Sequence, residues 1–135
     1  MGTRSLTIPY ENKGGRQVPI YKMHRQFDGY PEGHGVELAE FLADFTMMNG
    51  LTPDRNGKIA NGMDCLAAQM IAHFKTEPGN IYVMSVEIEN AGQEYEYHVQ
   101  LEYGQLIIKV ISMYDGEIFN GTAQEFLIKY PPKEE

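Results

Sequence analysis

An alternating segment, residues 94–103, constrains the fold of this 135-residue chain more than any other feature. Apolar or aromatic residues occupy every second position, namely Tyr95, Tyr97, Val99, Leu101 and Tyr103. Between them stand Glu94, Glu96, His98, Gln100 and Glu102. Because successive side chains of a strand point to opposite faces, the pattern predicts a strand in a sheet with one buried and one polar face.

The flanking segments extend this strand into a mostly antiparallel sheet. Leu106, Ile108 and Val110 continue the buried face, and a Gly104-Gln105 loop would place Leu101 opposite Ile108. Further strands are predicted at residues 5–10, 18–26, 82–88 and 117–120. The first two form a hairpin, in which Pro19 indicates an edge position or a bulge.

Helical spacing appears in three places. Leu38, Leu42 and Phe45 predict a helix over residues 36–45, with Asn49-Gly50 as its stop. Asn61 is expected to cap a second helix that runs to about Lys75, and its buried stripe is Met63, Leu66, Met70 and Phe74. Thr122-Ala123-Gln124-Glu125 fits a capping box that opens a short third helix. The order β-β-α-α-β-β-β-β-α predicts a single α+β domain over residues 1–135, with the two central helices packed on one face of the sheet.

Composition excludes several classes of protein. No apolar run approaches the ~20 residues that span a bilayer, and residues 1–5 lack the apolar core of a signal peptide. The single Cys65 fits a reducing compartment, so we expect a cytoplasmic protein. A net charge of -8 argues against direct binding to nucleic acid or to an anionic membrane. Four scattered histidines without paired spacing indicate no metal site, and we expect no cofactor.

The densest polar chemistry lies in residues 25–35, here called the 25–35 loop. Its glycines permit successive backbone N–H groups to point into one concavity, and a helix begins at once, so the segment predicts an anion site. The candidate binding residues are Arg25, Gln26, Asp28, Tyr30, Glu32 and His34, with Arg4 as a further donor. The alternative is a structural loop in which Asp28-Gly29 makes a turn and Tyr30-Pro31 packs on the core.

A hydrolase is a second hypothesis for the same residues. Arg4 and Arg25 would stabilise developing negative charge, and His34 or Asp28 would act as the acid–base group. Cys65, near a helix N-terminus, is an outside candidate for the nucleophile. The alternative for Cys65 is a small buried residue on a packing stripe with Ala68 and Ala72.

The polar face of the sheet carries an unusual distribution of charge. An Ala91-Gly92 hairpin loop would place Glu89 opposite Glu94 and Glu87 opposite Glu96, an unfavourable pairing unless the face is solvated or binds a cation or a basic partner. A third hypothesis is therefore an acidic inhibitor or nucleic-acid mimic that uses Glu87, Glu89, Glu94, Glu96 and Glu102. Ile107, Ile111 and Met113 fall on the same face, which predicts a covering element, a partner protein or a homodimer.

Three segments carry a resemblance to a known family: residues 1–6, residues 25–35 and Gly62-Met63-Asp64-Cys65-Leu66-Ala67-Ala68-Gln69. They resemble small proteins found in bacteria, prophages and bacteriophages, in which the loop usually reads Asp-Gly-Tyr-Pro followed by Gly-x-Gly. Asp64 stands where the family has a small residue. The resemblance implies a cytoplasmic protein of phage or mobile-element type, a class that includes inhibitors of host defence, and it supplies no substrate.

These observations favour a non-catalytic binding protein. We expect it to capture a host protein or a small anionic ligand through the 25–35 loop and Arg4. The hydrolase and the acidic inhibitor stay open as alternatives.

Overall fold

A computed structural model describes residues 2–48 and 58–133. Within them the strands are β1 (Ser5–Lys13), β2 (Arg16–Pro19), β3 (Lys22–Arg25), β4 (Thr46–Met48), β5 (Ile59–Asn61), β6 (Ile81–Met84), β7 (Tyr95–Glu102), β8 (Gln105–Ser112) and β9 (Gly116–Thr122). Seven strands form one sheet in the order β6-β3-β1-β7-β8-β9, with β2 also paired to β1. Every pairing in this sheet is antiparallel except β1 with β7. β4 and β5 form a separate parallel pair.

Three α-helices, α1 (Val36–Leu42), α2 (Met63–Phe74) and α3 (Ala123–Lys129), pack with one face of the sheet. The sheet contributes Met23, Tyr97, Val99, Ile108 and Val110 to the core. From the helices come Leu38, Leu42, Leu66, Met70 and Phe126, among others. The α+β class and the packing of the helices on one face are therefore confirmed.

The predicted second strand is divided in two. Tyr10 pairs with Pro19, but Thr7 pairs with Met23. Three residues of β1 thus correspond to four residues of the opposite strand, so one extra residue lies between β2 and β3. This is the irregularity that Pro19 indicated, because proline donates no ladder hydrogen bond.

The two central helices are shorter than predicted. α1 ends at Leu42, because the backbone of the next residue, Ala43, is extended with ψ of 138°, and Asp44 then adopts a left-handed conformation with φ of 66°. Phe45 therefore lies beyond α1, between it and β4. The N-cap of α2 is Gly62, because Asn61 is the last residue of β5. The expected stop at residues 49–50 and the expected loop at 52–57 lie outside the described residues.

The register predicted around Ala91-Gly92 is wrong. β6 ends at Met84 and pairs with β3 at the sheet edge, while β7 lies between β1 and β8. The chain crosses from one to the other through residues 85–94, so Glu87 and Glu89 do not face Glu96 and Glu94 across a hairpin.

The predicted loop between β7 and β8 is displaced by one residue. Tyr103 and Gly104 form it, with φ values of 50° and 80°, the backbone of a tight hairpin turn. Leu101 therefore pairs with Leu106, and Val99 pairs with Ile108. A shift of two in the partner keeps every side chain on its predicted face, since the period of a strand is two.

The crossover, residues 85–94, covers part of the face opposite the helices. There Leu6 and Ile8 of β1 are buried, although neither belongs to the helix-side core. Lys22 Nζ donates to the carbonyl oxygen of Ile88, and Gln93 Nε2 donates to Glu96 Oε2 at 3.0 Å. The crossover therefore lies over β1 and not over the end of the sheet where a covering element was expected, since Ile107 and Ile111 are half-buried and Met113 is exposed.

Candidate functional site

The 25–35 loop contains a regular element that the sequence pattern did not predict. Residues Pro31–Gly35 form one π-helical turn that leads directly into α1. The chain enters it through Asp28, whose φ is 61°, and the amide of His34 donates to the carbonyl of Asp28 at 2.8 Å. Short side chains and a proline at the start allow this wide turn, which sequence patterns rarely identify.

The predicted concavity of free amides is wrong for this loop. The amide of Gly29 donates to Thr3 O, and those of Gly33 and Gly35 donate to Tyr30 O. The glycines serve close packing instead. A Cβ atom on Gly29 would lie 2.9 Å from the backbone nitrogen of Ser5, and one on Gly35 would lie 2.6 Å from Cζ of Phe126.

His34 is fully buried beneath the loop. Its ring lies between Phe74 and Tyr97, with both centroid distances at 5.0 Å. Arg25 Nη1 donates to Nδ1 at 3.2 Å, so Nε2 carries the proton and donates to Thr7 Oγ1 at 2.7 Å. Burial, and secondarily the charge of Arg25, lower the pKa of His34 to about 3. The imidazole is therefore neutral at physiological pH, and both of its nitrogens are occupied.

Arg25 is buried beside it, with only 10% of its side chain exposed. Nε donates to Phe27 O at 2.6 Å, and Nη1 lies 2.7 Å from Glu37 Oε2 in addition to its bond with His34. The Nη2 edge of the guanidinium takes no part in these contacts. Three partners from three segments thus fix the plane of the arginine.

A polar cleft of about 240 Å³ adjoins Arg25. Its charged walls are Arg25 from β3, Glu37 from α1 and Glu77 after the end of α2. His73 and Asn80 also line it. Arg25 was predicted from the sequence and the other four were not, because no local pattern places the end of α2 beside β3.

The exposed residues of the loop lie on a different surface. Asp28, Tyr30 and Glu32 are solvent-exposed, and Tyr30 Oη donates to Asp28 Oδ1 at 3.3 Å. Tyr114 Oη donates to Glu94 Oε1 at the same distance. We call this surface the acid–tyrosine face, and its residues are Asp28, Tyr30, Glu32, Glu94, Tyr95, Tyr114, Asp115 and Tyr130.

Electrostatic interactions link seven of these side chains, and Tyr114 joins them through its hydrogen bond to Glu94. Asp28 first, and Glu32 less strongly, raise the pKa of Tyr30. Burial is the main cause of the raised pKa of Tyr95, and Glu32, Glu94 and Asp115 add to it. Burial and then Glu32 raise the pKa of Tyr130. Glu32 therefore acts on three tyrosines of this face, which come from three different parts of the chain.

Arg4 and Gln26 join neither group. The guanidinium of Arg4 lies against Gly92 in the crossover. The backbone carbonyl of Arg4 accepts a hydrogen bond from the amide of Glu94 at 2.9 Å. Gln26 is half-buried, and its amide donates to Asn80 O at 2.8 Å. The seven predicted residues thus separate into a buried pair, an exposed trio and two residues with positions of their own.

Cys65 is half-buried on α2 and accepts a hydrogen bond from Gln69 Nε2 at 3.5 Å. Among the described residues no histidine bonds to its sulfur, so the pairing that a Cys–His hydrolase requires is not formed there. Ala68 and Ala72 are exposed, so the predicted packing stripe is also wrong.

A second polar network joins β1 to β7 on the face opposite the helices. Tyr10 Oη donates to His98 Nδ1 at 2.6 Å, and His98 Nε2 donates to Glu96 Oε1 at 3.0 Å. Burial first, and Glu96 second, raise the pKa of Tyr10, so its hydroxyl keeps its proton and links the strands. The two-residue spacing predicted that Glu96 and His98 lie on one face of a strand, but nothing in the sequence predicted Tyr10 as their partner.

Comparison with models of known protein families, with curated proteins and with solved structures finds no match for the chain. No helix in residues 2–48 and 58–133 is long and apolar enough to cross a membrane. In the same ranges no group of three or more His, Cys, Asp or Glu side chains is placed to hold a metal ion.

Proposed function

We propose that this protein is a non-catalytic binding protein that captures a basic segment of another protein on the acid–tyrosine face. The observation that carries the proposal is the grouping of four tyrosines with four carboxylates, joined by the hydrogen bonds of Tyr30 to Asp28 and of Tyr114 to Glu94 and by the charge of Glu32. Tyrosine supplies large contact area at a low cost in side-chain entropy, and carboxylates pair with lysine and arginine. The net charge of -8 would steer such a partner toward the protein.

The hydrolase hypothesis has weaker support. A general base must reach the proton that it abstracts, and His34 is buried with both ring nitrogens bonded to the protein. Asp28 is exposed, and its carboxylate accepts a hydrogen bond from the hydroxyl of Tyr30. Cys65 has no histidine partner among the described residues.

The acidic-inhibitor hypothesis agrees with this proposal in having a basic partner, but it places the binding site on the polar face of the sheet. Glu96 bonds to His98 and Gln93, and Glu102 bonds to Gln100, so these carboxylates are engaged within the protein. Of the five carboxylates in that hypothesis, Glu94 alone belongs to the acid–tyrosine face. A host protein as the partner, a phage or mobile-element type and a cytoplasmic location belong to this same proposal.

The test uses arrayed fluorescent peptides that differ in lysine and arginine content. We expect basic peptides to bind the wild-type protein and the double variant Tyr30→Ser/Glu32→Lys to lose at least tenfold in affinity. The matched control is Tyr103→Ser/Glu87→Lys, which makes the same chemical changes at exposed positions away from the face. Equal loss in both double variants, or none in either, would show that the acid–tyrosine face is not the binding site.

A further inference from the structure

The cleft beside Arg25 is separate from the acid–tyrosine face and carries charges of both signs. Arg25 provides the positive charge, and Glu37 and Glu77 provide two negative charges. A simple anion would be attracted by the arginine and repelled by both carboxylates. A ligand that carries both a carboxylate and an ammonium group can pair its carboxylate with Arg25 and its ammonium group with the two glutamates.

Arg25 is built to present a fixed guanidinium edge. Its side chain is nine-tenths buried. The bonds to Phe27 O and His34 Nδ1 and the ion pair with Glu37 hold Nε and Nη1, and the second oxygen of Glu37 is left to meet a ligand ammonium group. His34 is neutral, so it orients the arginine without adding a second positive charge. With Nε and Nη1 engaged in these contacts, Nη2 is the donor that remains for a ligand carboxylate.

A wider groove of about 470 Å³ shares Glu37 and His73 with the cleft. Phe41 and Phe45 line it, and the rings of Phe41 and His73 stack with centroids 4.7 Å apart. Together the two spaces fall in the size range of small-molecule sites, and they place an aromatic surface next to a charged pocket.

We propose that the cleft and the groove bind a free α-amino acid with an aromatic side chain. The ligand carboxylate contacts the Nη2 edge of Arg25, the ammonium group lies between Glu37 and Glu77, and the side chain enters the groove beside Phe41 and Phe45. This site is independent of the acid–tyrosine face, and its occupant is a small zwitterion rather than a protein.

Four probes separate the parts of this ligand. Isothermal titration uses phenylalanine, 3-phenylpropionate without the ammonium, 2-phenylethylamine without the carboxylate, and glycine without the ring. We expect phenylalanine to bind at least tenfold more tightly than each of the other three. Absence of phenylalanine binding, or equal binding of any of the truncated probes, overturns the proposal.

Variants at the carboxylates test the assignment without disturbing the buried arginine. Glu77→Gln should weaken phenylalanine binding about tenfold and leave 3-phenylpropionate unchanged or slightly improved, because only the former carries an ammonium group. Glu87→Gln, an exposed change in the crossover, should alter neither. If Glu77→Gln leaves phenylalanine affinity at the wild-type value, Glu77 does not hold the ammonium and the proposed arrangement is wrong.

Discussion

The hydroxyl oxygen of Thr7 lies 2.7 Å from Nε2 of His34, and this buried bond joins the central strand β1 to the π-helical turn. Because Arg25 donates to the other ring nitrogen, the bond requires the neutral imidazole with its proton on Nε2. The attachment of the turn to the sheet therefore depends on the protonation state of one histidine.

We expect acid to weaken the fold through His34. Its pKa is lowered to about 3 in the folded protein, against 6.5 for an ordinary histidine, so between these values the unfolded chain binds a proton that the native state does not bind. The stability that the neutral His34 contributes is fully present above pH 6.5. It is lost as the pH falls toward 3, by at most about 1.4 kcal/mol per pH unit. Urea unfolding from pH 7 to pH 4 should show a shallower dependence for His34→Gln than for wild type. Parallel curves would contradict this origin of the acid sensitivity.

Short-range patterns predicted most of the elements. The stripe Met63, Leu66, Met70 and Phe74 is buried on α2, and the capping box at Thr122 and Glu125 is formed. Both depend on spacings of three or four residues, which local backbone geometry sets directly.

Long-range neighbours could not be predicted in the same way. β1 pairs in parallel with β7, and the bond from Tyr10 to His98 spans 88 residues. The candidate cleft likewise needs Arg25, Glu37 and Glu77 to meet from three elements. The alternation in a strand predicts which face is buried but not which strand lies beside it. The sequence therefore predicted Arg25 as a binding residue but did not predict that Glu37 and Glu77 lie next to it.

Gly29→Ala should destabilise the protein by about 2 kcal/mol, the usual cost of forcing extra atoms into a packed site. The new Cβ would lie 2.8 Å from Cβ of Ser5 and 2.9 Å from the backbone of Arg4 and Ser5, which cannot move without disturbing β1. The control is Gly104→Asn in the β7–β8 turn, where there is open space and asparagine tolerates the positive φ. Thermal and urea unfolding should separate the two variants, and equal stability would contradict the close packing.

Thr122→Ala should lower the free energy of unfolding by about 1 kcal/mol, as expected for the loss of an N-cap. Thr122 Oγ1 accepts from the amide of Glu125 at 3.2 Å, and Glu125 Oε1 accepts from the amide of Thr122 at 2.8 Å. Gln124→Ala, at an exposed position of the same turn, is the control and should change stability by only a few tenths of a kcal/mol. An equal effect of the two substitutions would show that the cap is not what stabilises the start of α3.

Glu96→Gln should lower the pKa of His98 further. Burial already lowers this pKa, while the hydrogen bond and the charge of Glu96 oppose the shift by stabilising the imidazolium. Removing the carboxylate leaves burial and the charges of Lys109 and Lys22, all of which favour the neutral ring. NMR titration of the imidazole protons gives the value directly, with Glu87→Gln as a control that leaves it unchanged. A pKa that rises or stays constant in Glu96→Gln would refute the coupling.

Lys75→Met should make the protein self-associate through the edge strand β6. The amide of Gln26 donates to Asn80 O, so the alternation of the ladder points the carbonyl of Ile81 away from β3, toward the free edge. Lys75 Nζ covers that edge by donating to Ile81 O at 2.8 Å and to Gly79 O at 2.9 Å. With the lysine removed, the neighbouring exposed Tyr82 and Val83 leave an unprotected apolar strand, the kind of edge that recruits a second chain.

Light scattering across a range of protein concentrations measures this effect. Lys13→Met changes the net charge equally at an exposed site in another part of the sheet and should stay at the mass of the wild-type protein. Lys75→Met should show a mass that rises with concentration, since pairing at the edge is a second-order process. If both variants keep the wild-type mass at every concentration, the lysine does not protect the edge.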